Sequence, residues 1–355
     1  MAYCSDRVRA EGSRLEKEKC MDIVYASSDL YSRIGLVSIK SLLENNRHVE
    51  KIRIFYIENN IGEDNKKALY ELAVEYRREL CFIPMHDLSR YSGGLVRTNV
   101  VVYSYCFLHE LLPKDIEKVL LIECDTLVLG SLEKLWNLDI TQAYLAAADD
   151  IKSNWYKRAL GMDTASEYIN SGIMLINLKK WRADDITGKM SLLLLEGNSK
   201  CFYEVQDELN VLFEGNIEIL KPKYNCTTAL FLYRYRNMKR YRKPSTCFTE
   251  YDYQEAVYSP VIVHFTTNQI IQSRPWIEGC THPYKDKYLE YKSETVTSND
   301  RLWESSRKVK NKLAYGIYRI LPQCITSAIL GCVQAYLYPM KEYYSKQMIK
   351  KRGYS

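Results

Sequence analysis

Glu123-Cys124-Asp125 carries the clearest chemistry in this 355-residue chain. The triplet closes Val119-Leu120-Leu121-Ile122, an apolar run with the length and branching of a buried parallel strand. Side chains alternate along a strand with a period of two, so an acid-x-acid triplet at its end aims both carboxylates at one point. Ligands of open α/β sheets bind outside the carboxyl ends of the strands. Two hard oxygen donors there suit a divalent cation such as Mn²⁺ or Mg²⁺, which would in turn carry a diphosphate. A solvated loop also contains such triplets, and the rest of the chain decides between the two readings.

The elements that must position this triplet can be read around it. Met21 to Ala26 reads as a first strand that breaks at Ser27-Ser28-Asp29, and Ile34 to Leu43 follows with helical spacing. Ile52 to Ile57 is a second strand, Glu63 to Arg78 a charged helix and Cys81 to Met85 a third strand. Thr98 to Pro113 is expected to be the helix before the central strand, and Ala143 to Ala148 a further strand ending on Asp149-Asp150. Val261 to Phe265 is an apolar strand that delivers His264. Strands alternating with helices predict an α/β fold with a mostly parallel central sheet, flanked by helices and joined by right-handed crossovers.

Taken in order along the chain, these stretches resemble glycosyltransferase family 8, a set of retaining, nucleotide-sugar-dependent enzymes of GT-A fold. Ile122-Glu123-Cys124-Asp125-Thr126-Leu127-Val128 matches its Asp-x-Asp metal motif, with Glu123 for the first acid. Tyr25-Ala26-Ser27-Ser28-Asp29-Leu30-Tyr31 matches its uridine-holding turn, with Ser28 and Leu30 in place of polar residues often found there. Asn170-Ser171-Gly172 opens a segment close to its Asn-Ser-Gly-x-x-Leu-Ile-Asn-Leu, and Val205-Gln206-Asp207-Glu208-Leu209-Asn210 resembles its Asp-Gln-Asp-x-Leu-Asn. His264 and Arg274-Pro275-Trp276 correspond to its His and Lys-Pro-Trp. The resemblance covers roughly Met21 to Tyr291.

What the resemblance implies can be set down residue by residue. Glu123, Asp125 and His264 would ligate the metal; Ala26, Ser28 and Tyr31 would hold the nucleoside; Asn170 and Gly172 would lie against the nucleotide sugar. Gln206 would sit beneath the anomeric carbon, with Asp207 placing the sugar and Asp150 holding hydroxyls of donor or acceptor. Arg274 keeps the positive charge of the family's lysine and adds a fork that matches a diphosphate. The gap from Thr266 to Ser273 is long enough to suggest a flexible lid carrying that arginine. Many members place an arginine where this chain has Tyr105, and Arg97 upstream is the candidate substitute.

Composition is that of an ordinary globular protein, with 46% hydrophobic and 26% charged residues. The 11 cysteines are odd in number and scattered without Cys-x-x-Cys or zinc spacing, which reads as reduced core thiols and a cytoplasmic setting. No N-terminal stretch is apolar enough for a signal peptide or a membrane span, and residues 1–20 read as an extension without assignable chemistry.

Charge is unevenly placed. Residues 301–355 hold 11 Lys/Arg against 2 Asp/Glu, a net +9, so residues 1–300 carry −3 of the total +6. That distribution argues against a nucleic-acid-binding core. In the tail Arg307, Lys308, Lys310, Lys312 and Arg319 are interleaved with apolar residues such as Trp303 and Leu313, and after Pro322 the apolar Ile325, Ile329, Cys332 and Tyr336 fall at helical spacing. Such a pattern fits a basic amphipathic appendage for an anionic membrane surface, and equally a helical pair packed on the core or a partner-binding face.

The chain thus divides into an extension (1–20), a GT-A-like domain (21–292) and a helical C-terminal appendage (293–355). The expected activity is retaining transfer of a hexose, glucose or galactose, from a UDP-sugar to a saccharide or lipid-linked saccharide. Two other readings stand beside it: a non-catalytic binding protein of the same fold, and a self-glycosylating, glycogenin-like enzyme suggested by 30 tyrosines.

Overall fold

The computed structural model describes residues 20–85, 100–197, 204–268, 270–305, 309–341 and 343–344. Arg97 and nearly all of the N-terminal extension lie outside the described residues. Its strands are β1 (Cys20–Ser28), β2 (Lys51–Asn59), β3 (Glu79–Pro84), β4 (Lys118–Ile122), β5 (Thr126–Val128), β6 (Leu145–Asp149), β7 (Ile169–Asn177), β8 (Ile217–Leu220), β9 (Cys226–Thr227) and β10 (Ile262–His264). Seven of them form the central sheet in the order β3-β2-β1-β4-β7-β6-β8, and β5-β10-β9 form a small second sheet. Only β7 runs against its neighbours in the central sheet, so the mostly parallel architecture expected from the sequence is present.

The alternation that makes β4 a central strand is visible side chain by side chain. Leu120 and Ile122 join the core that includes Leu36 and Ile39 of the helix Asp29–Asn45, whereas Val119 and Leu121 join the core with Trp181 and Leu209. All four are fully buried. At roughly 1.5–3 kcal/mol for each buried aliphatic side chain, this strand is anchored from both faces, and the loop at its end starts from a fixed point.

The continuous helix expected from Thr98 to Pro113 is instead broken into a short helix Val100–Tyr103, a 3₁₀ turn Ser104–Phe107 and another short helix Leu108–Leu111. β-Branched Val100, Val101 and Val102 are poor helix formers. The Ser104 hydroxyl donates to the Val101 carbonyl at 2.6 Å, a local bond that competes with regular helix.

Residues 294–305 are tied to the core. Asp300 takes a two-toothed ion pair from Arg33, both bonds at 2.7 Å, and Trp303 exchanges backbone bonds with Trp276 and Glu278. Beyond them, the helices Val309–Ile320 and Gln323–Cys332 form a hairpin, the second helix running on into a π turn, Val333–Leu337. One side of this hairpin packs on the helix Tyr235–Arg242, so closely at Gly331 that a Cβ would lie 2.8 Å from the Arg240 carbonyl. Its other side exposes Leu313, Ile320, Ile325, Ile329 and Leu337. Among the described residues, no helix is long and apolar enough to cross a membrane.

Candidate active site

The acidic triplet sits in the link between the two sheets. β4 ends at Ile122, β5 begins at Thr126, and Glu123 and Asp125 occupy the corner. Two backbone bonds hold that corner: the Glu123 amide donates to the Gly172 carbonyl and the Phe265 amide to the Asp125 carbonyl, both at 2.9 Å.

Register then supplies the third residue. β10 pairs antiparallel with β5 so that His264 faces Thr126, one residue beyond Asp125. The imidazole Nε2 lies 3.2 Å from Glu123 Oε2 and 3.3 Å from Asp125 Oδ1. One donor atom from each of the three residues falls within 4.8 Å of the others. Two carboxylates and one imidazole are a donor set that suits Mn²⁺.

β9 adds the support. It pairs with β10 and brings Asn225 beside the histidine, where Asn225 Oδ1 is 2.9 Å from His264 Nδ1. A carbonyl oxygen there accepts the Nδ1 proton and turns Nε2 toward the carboxylates, the arrangement that orients a metal-ligating histidine once Nε2 gives up its own proton. Gly172 completes the cradle. A Cβ on it would lie 2.2 Å from His264 Cε1 and 2.8 Å from Glu123 Oε2, so only glycine leaves room for both. The close approach at Gly172 is to the side chains of His264 and Glu123.

Electrostatics mark the same spot. Burial would lower His264, but Asp125 and Glu123 outweigh it and raise the imidazole to about 10. Burial would likewise raise Asp125, and His264 and Arg274 hold it below the ordinary carboxylate range instead. Tyr105 is buried and raised by that burial and by the carboxylates of Glu123 and Asp125, so this tyrosine lines the acidic corner where an arginine was expected. The cation that approaches is Arg274, which donates to Tyr31 Oη at 2.8 Å and stands 3.4 Å from Asp125 Oδ2.

Arg274 already reaches the corner in this structure. Thr266 and Ser273, at the two ends of the intervening loop, are joined by a 2.7 Å bond from the Ser273 hydroxyl to the Thr266 carbonyl. Through Arg274, Tyr31 stands beside the acidic corner. Ala26 is buried, its carbonyl accepting from the Cys124 thiol at 3.6 Å, and Ser28 caps the helix Asp29–Asn45 by position without a side-chain bond.

A chain of hydrogen bonds leads from the acidic corner to a second polar centre. Asn225 Nδ2 donates to Asn170 Oδ1 at 2.8 Å, and Asn170 Nδ2 to Gln206 Oε1 at 3.0 Å. Gln206 Nε2 donates on to Asp150 Oδ2 at 3.3 Å and to Tyr168 Oη at 3.2 Å. Asp150 is held by Lys152 at 2.9 Å and Arg242 at 3.3 Å. Burial pushes its carboxyl up, but the two cations prevail and keep it low.

Asp207 does not join this surface. It is fully buried and accepts from the hydroxyls of Tyr156 and Tyr168. A direct hold on the sugar, as the sequence implied, is replaced by a positioning role: Asp207 fixes Tyr168, which bonds Gln206. Sequence reasoning also passed over Asn225, Lys152 and Arg242. No motif singled out Asn225, and nothing in the spacing of the two cations pointed to Asp150.

Comparison with known proteins agrees with this geometry. Residues 22–279 match the family described as glycosyl transferase family 8. General stress protein A of Bacillus subtilis is 29% identical over 286 residues, covering 79% of this chain and 96% of that protein. A lipopolysaccharide 1,2-glucosyltransferase of Escherichia coli is 25% identical, covering 85% and 86%. Among solved structures, the galactosyltransferase LgtC in complex with donor and acceptor sugar analogues superposes with a TM-score of 0.66 at 26% identity, covering 79% of this chain and 98% of LgtC. With the motifs in order, the sheet topology and the acid-acid-histidine corner all in place, the chain belongs to glycosyl transferase family 8 and is a glycosyltransferase of GT-A fold.

Proposed function

We propose that the protein transfers a hexose, glucose or galactose, from a UDP-sugar to a saccharide acceptor with retention at the anomeric carbon. The observation that carries this reading is the convergence of Glu123, Asp125 and His264 within 4.8 Å, over a glycine that no other residue could replace. A divalent cation such as Mn²⁺, held by these three residues, would neutralise negative charge developing on the departing diphosphate.

The chain's own residues do the rest. Arg274 already stands over the corner, and its fork can turn from Asp125 to phosphate oxygens. Tyr31, the T-shaped ring partner of Trp303 at 5.8 Å, offers its own ring to the nucleobase. Gln206 Oε1 accepts from Asn170 Nδ2 at 3.0 Å and from the Ser171 amide at 3.3 Å. A carbonyl oxygen bonded twice is a poor nucleophile but a fixed dipole. That favours a front-face displacement, in which the acceptor oxygen bonds the anomeric carbon as the bond to UDP breaks and the hydroxyl proton passes to the departing phosphate.

The names of the relatives support a saccharide acceptor, lipopolysaccharide in the Escherichia coli case. A lipid-linked acceptor also suits the C-terminal hairpin. Its exposed Leu313, Ile320, Ile325, Ile329 and Leu337 lie in the chain's basic region, and such a face suits an anionic membrane surface on the cytoplasmic side.

The test is UDP release from UDP-glucose and UDP-galactose with and without Mn²⁺, using lipopolysaccharide-core oligosaccharides as acceptors and NMR of the product linkage. An α-linked product formed only with Mn²⁺ is expected. Sugar binding without turnover under every condition would favour the non-catalytic alternative.

A further inference from the structure

Gln206 is held in one amide orientation by neighbours of fixed polarity. The Ser171 amide can only donate, so the atom it meets at 3.3 Å is Oε1. Asn170, whose own oxygen takes the Gly172 amide, donates to the same Oε1 through Nδ2 at 3.0 Å. On the other side a carboxylate can only accept, so the atom that meets Asp150 Oδ2 at 3.3 Å is Nε2. The Tyr168 hydroxyl gives its proton to Asp207 and likewise accepts from Nε2.

That orientation depends on Asp150 staying ionised in a place where burial opposes it. Lys152 at 2.9 Å and Arg242 at 3.3 Å supply the compensation, and their charge prevails over burial. All three side chains are at most 10% exposed. Such a cluster is a poor source of stability, because the desolvation of three charges offsets their attraction. The backbone is also bent to make the grip. Ile151 has a φ of 47°, a left-handed conformation that a β-branched residue rarely adopts, and Lys152 turns back there onto Asp150 two positions away. Asp149 Oδ1 braces the turn by accepting the Ile151 amide at 2.8 Å. Strain and buried charge gathered beside Gln206 point to a function rather than to packing.

We propose that Lys152 and Arg242 are positioning residues for the transfer: by gripping Asp150 they fix the direction of the Gln206 amide dipole that the reacting sugar meets. The inference rests on the glycosyltransfer reading and deepens it. A carbon losing its bond to UDP gains positive charge, which a carbonyl oxygen stabilises and an amide nitrogen does not. Without an ionised acceptor at Asp150, Nε2 loses one of its two partners and the amide can turn the wrong end toward the sugar. Both cations lean on the C-terminal hairpin. Gly331 seats it against the helix Tyr235–Arg242, and Ser153, next to Lys152, donates to its Ala335 carbonyl at 2.8 Å.

The experiment is a double-mutant cycle in the full chain, with Mn²⁺ and the donor it turns over, read as kcat and KM for UDP release. Arg242→Gln is expected to lower kcat by about tenfold, the scale of one charge-assisted hydrogen bond, with the donor KM unchanged. Arg242→Lys, which keeps the charge, should recover most of that loss. In a Gln206→Ala background the same Arg242→Gln change should cost less than about twofold, because the group it positions is gone. An equal loss in that background overturns the proposal, since a clamp that merely holds the loop acts without Gln206. So does an Arg242→Gln enzyme with normal kcat, or one altered only in KM. Lys152→Gln passes through the same cycle with the same expectations, and it decides the matter if Arg242→Gln does not fold. Failure of the wild type to release UDP from any donor would instead refute the glycosyltransfer reading.

Discussion

Asn225 touches neither metal nor sugar in this account, yet its replacement should weaken metal binding strongly. It accepts the His264 Nδ1 proton at 2.9 Å and donates to Asn170 at 2.8 Å, and it is 2% exposed. In Asn225→Leu the imidazole loses the group that fixes its tautomer and ring plane, a change that costs about 10- to 100-fold in metal affinity where such partners have been removed. The same substitution leaves a buried Nδ1–H unmet, at about 1–3 kcal/mol of folding stability. Asn170 Oδ1 suffers less, because the Gly172 amide still donates to it at 3.1 Å. Asn225→Asp keeps an acceptor for Nδ1 and should retain most of the affinity. Calorimetric titration with Mn²⁺, paired with urea unfolding of the metal-free proteins, separates the two effects. If Asn225→Leu loses stability but binds Mn²⁺ within about twofold of wild type, the support assigned to Asn225 is wrong.

Other consequences can be checked independently. Gly172→Ala puts a Cβ 2.2 Å from His264 Cε1, so the ring must move and Mn²⁺ affinity should fall by at least about tenfold; unchanged binding would mean the cradle is not tight. Gln206→Ala should lower turnover by about 100-fold, the scale of losing one preorganised electrostatic contact, with UDP affinity nearly intact; an equal fall in both would move Gln206 to nucleotide binding. His264 is raised to about 10 in the metal-free fold from an ordinary 6.5, so its stabilising charge is fully present below about pH 6.5 and lost as pH rises toward 10. Metal-free protein should therefore lose thermal stability over that range, while Mn²⁺ binding, which must displace the proton, should release close to one proton per ion at pH 7.5 in calorimetry with two buffers. Ile320→Glu with Ile329→Glu, both on the exposed hairpin face, should abolish co-sedimentation with anionic liposomes and leave transfer to a soluble acceptor in place; equal sedimentation would assign that face to another role.

Much of this site was legible because strand ends are punctuated by polar residues. β4 announced itself by four apolar residues and an acid-x-acid stop, and β7 by Asn170-Ser171-Gly172 before an apolar run. The meeting of Asp125 with His264 was harder, since 139 positions separate them and only the antiparallel register of β5 with β10 joins them. The resemblance named His264; spacing alone would not have. Asn225 was illegible for the same reason one step further out, because β9 is two residues long and carries no periodic signal. Asp207 misled in the opposite direction: an acid beside Gln206 looks like a site residue, but helical geometry turns it about 100° from its neighbour, into the core against Tyr156 and Tyr168. The helix expected from Thr98 to Pro113 breaks up because successive β-branched valines disfavour helix and the Ser104 hydroxyl bonds the backbone locally. The grip of Lys152 and Arg242 on Asp150 joins residues from separate segments and left no trace in local pattern.

Glu123, Asp125 and His264 are proposed to form one metal-dependent transfer site. Its most direct test is Mn²⁺-dependent UDP release, measured side by side for the wild type, Asp125→Ala and Glu123→Asp. Wild type should release UDP only with the metal, Asp125→Ala should lose that release altogether, and Glu123→Asp should match or exceed wild type because the shorter acid restores the family's motif. Metal-dependent release at full rate in Asp125→Ala would contradict the assignment and move the chemistry to another part of the chain.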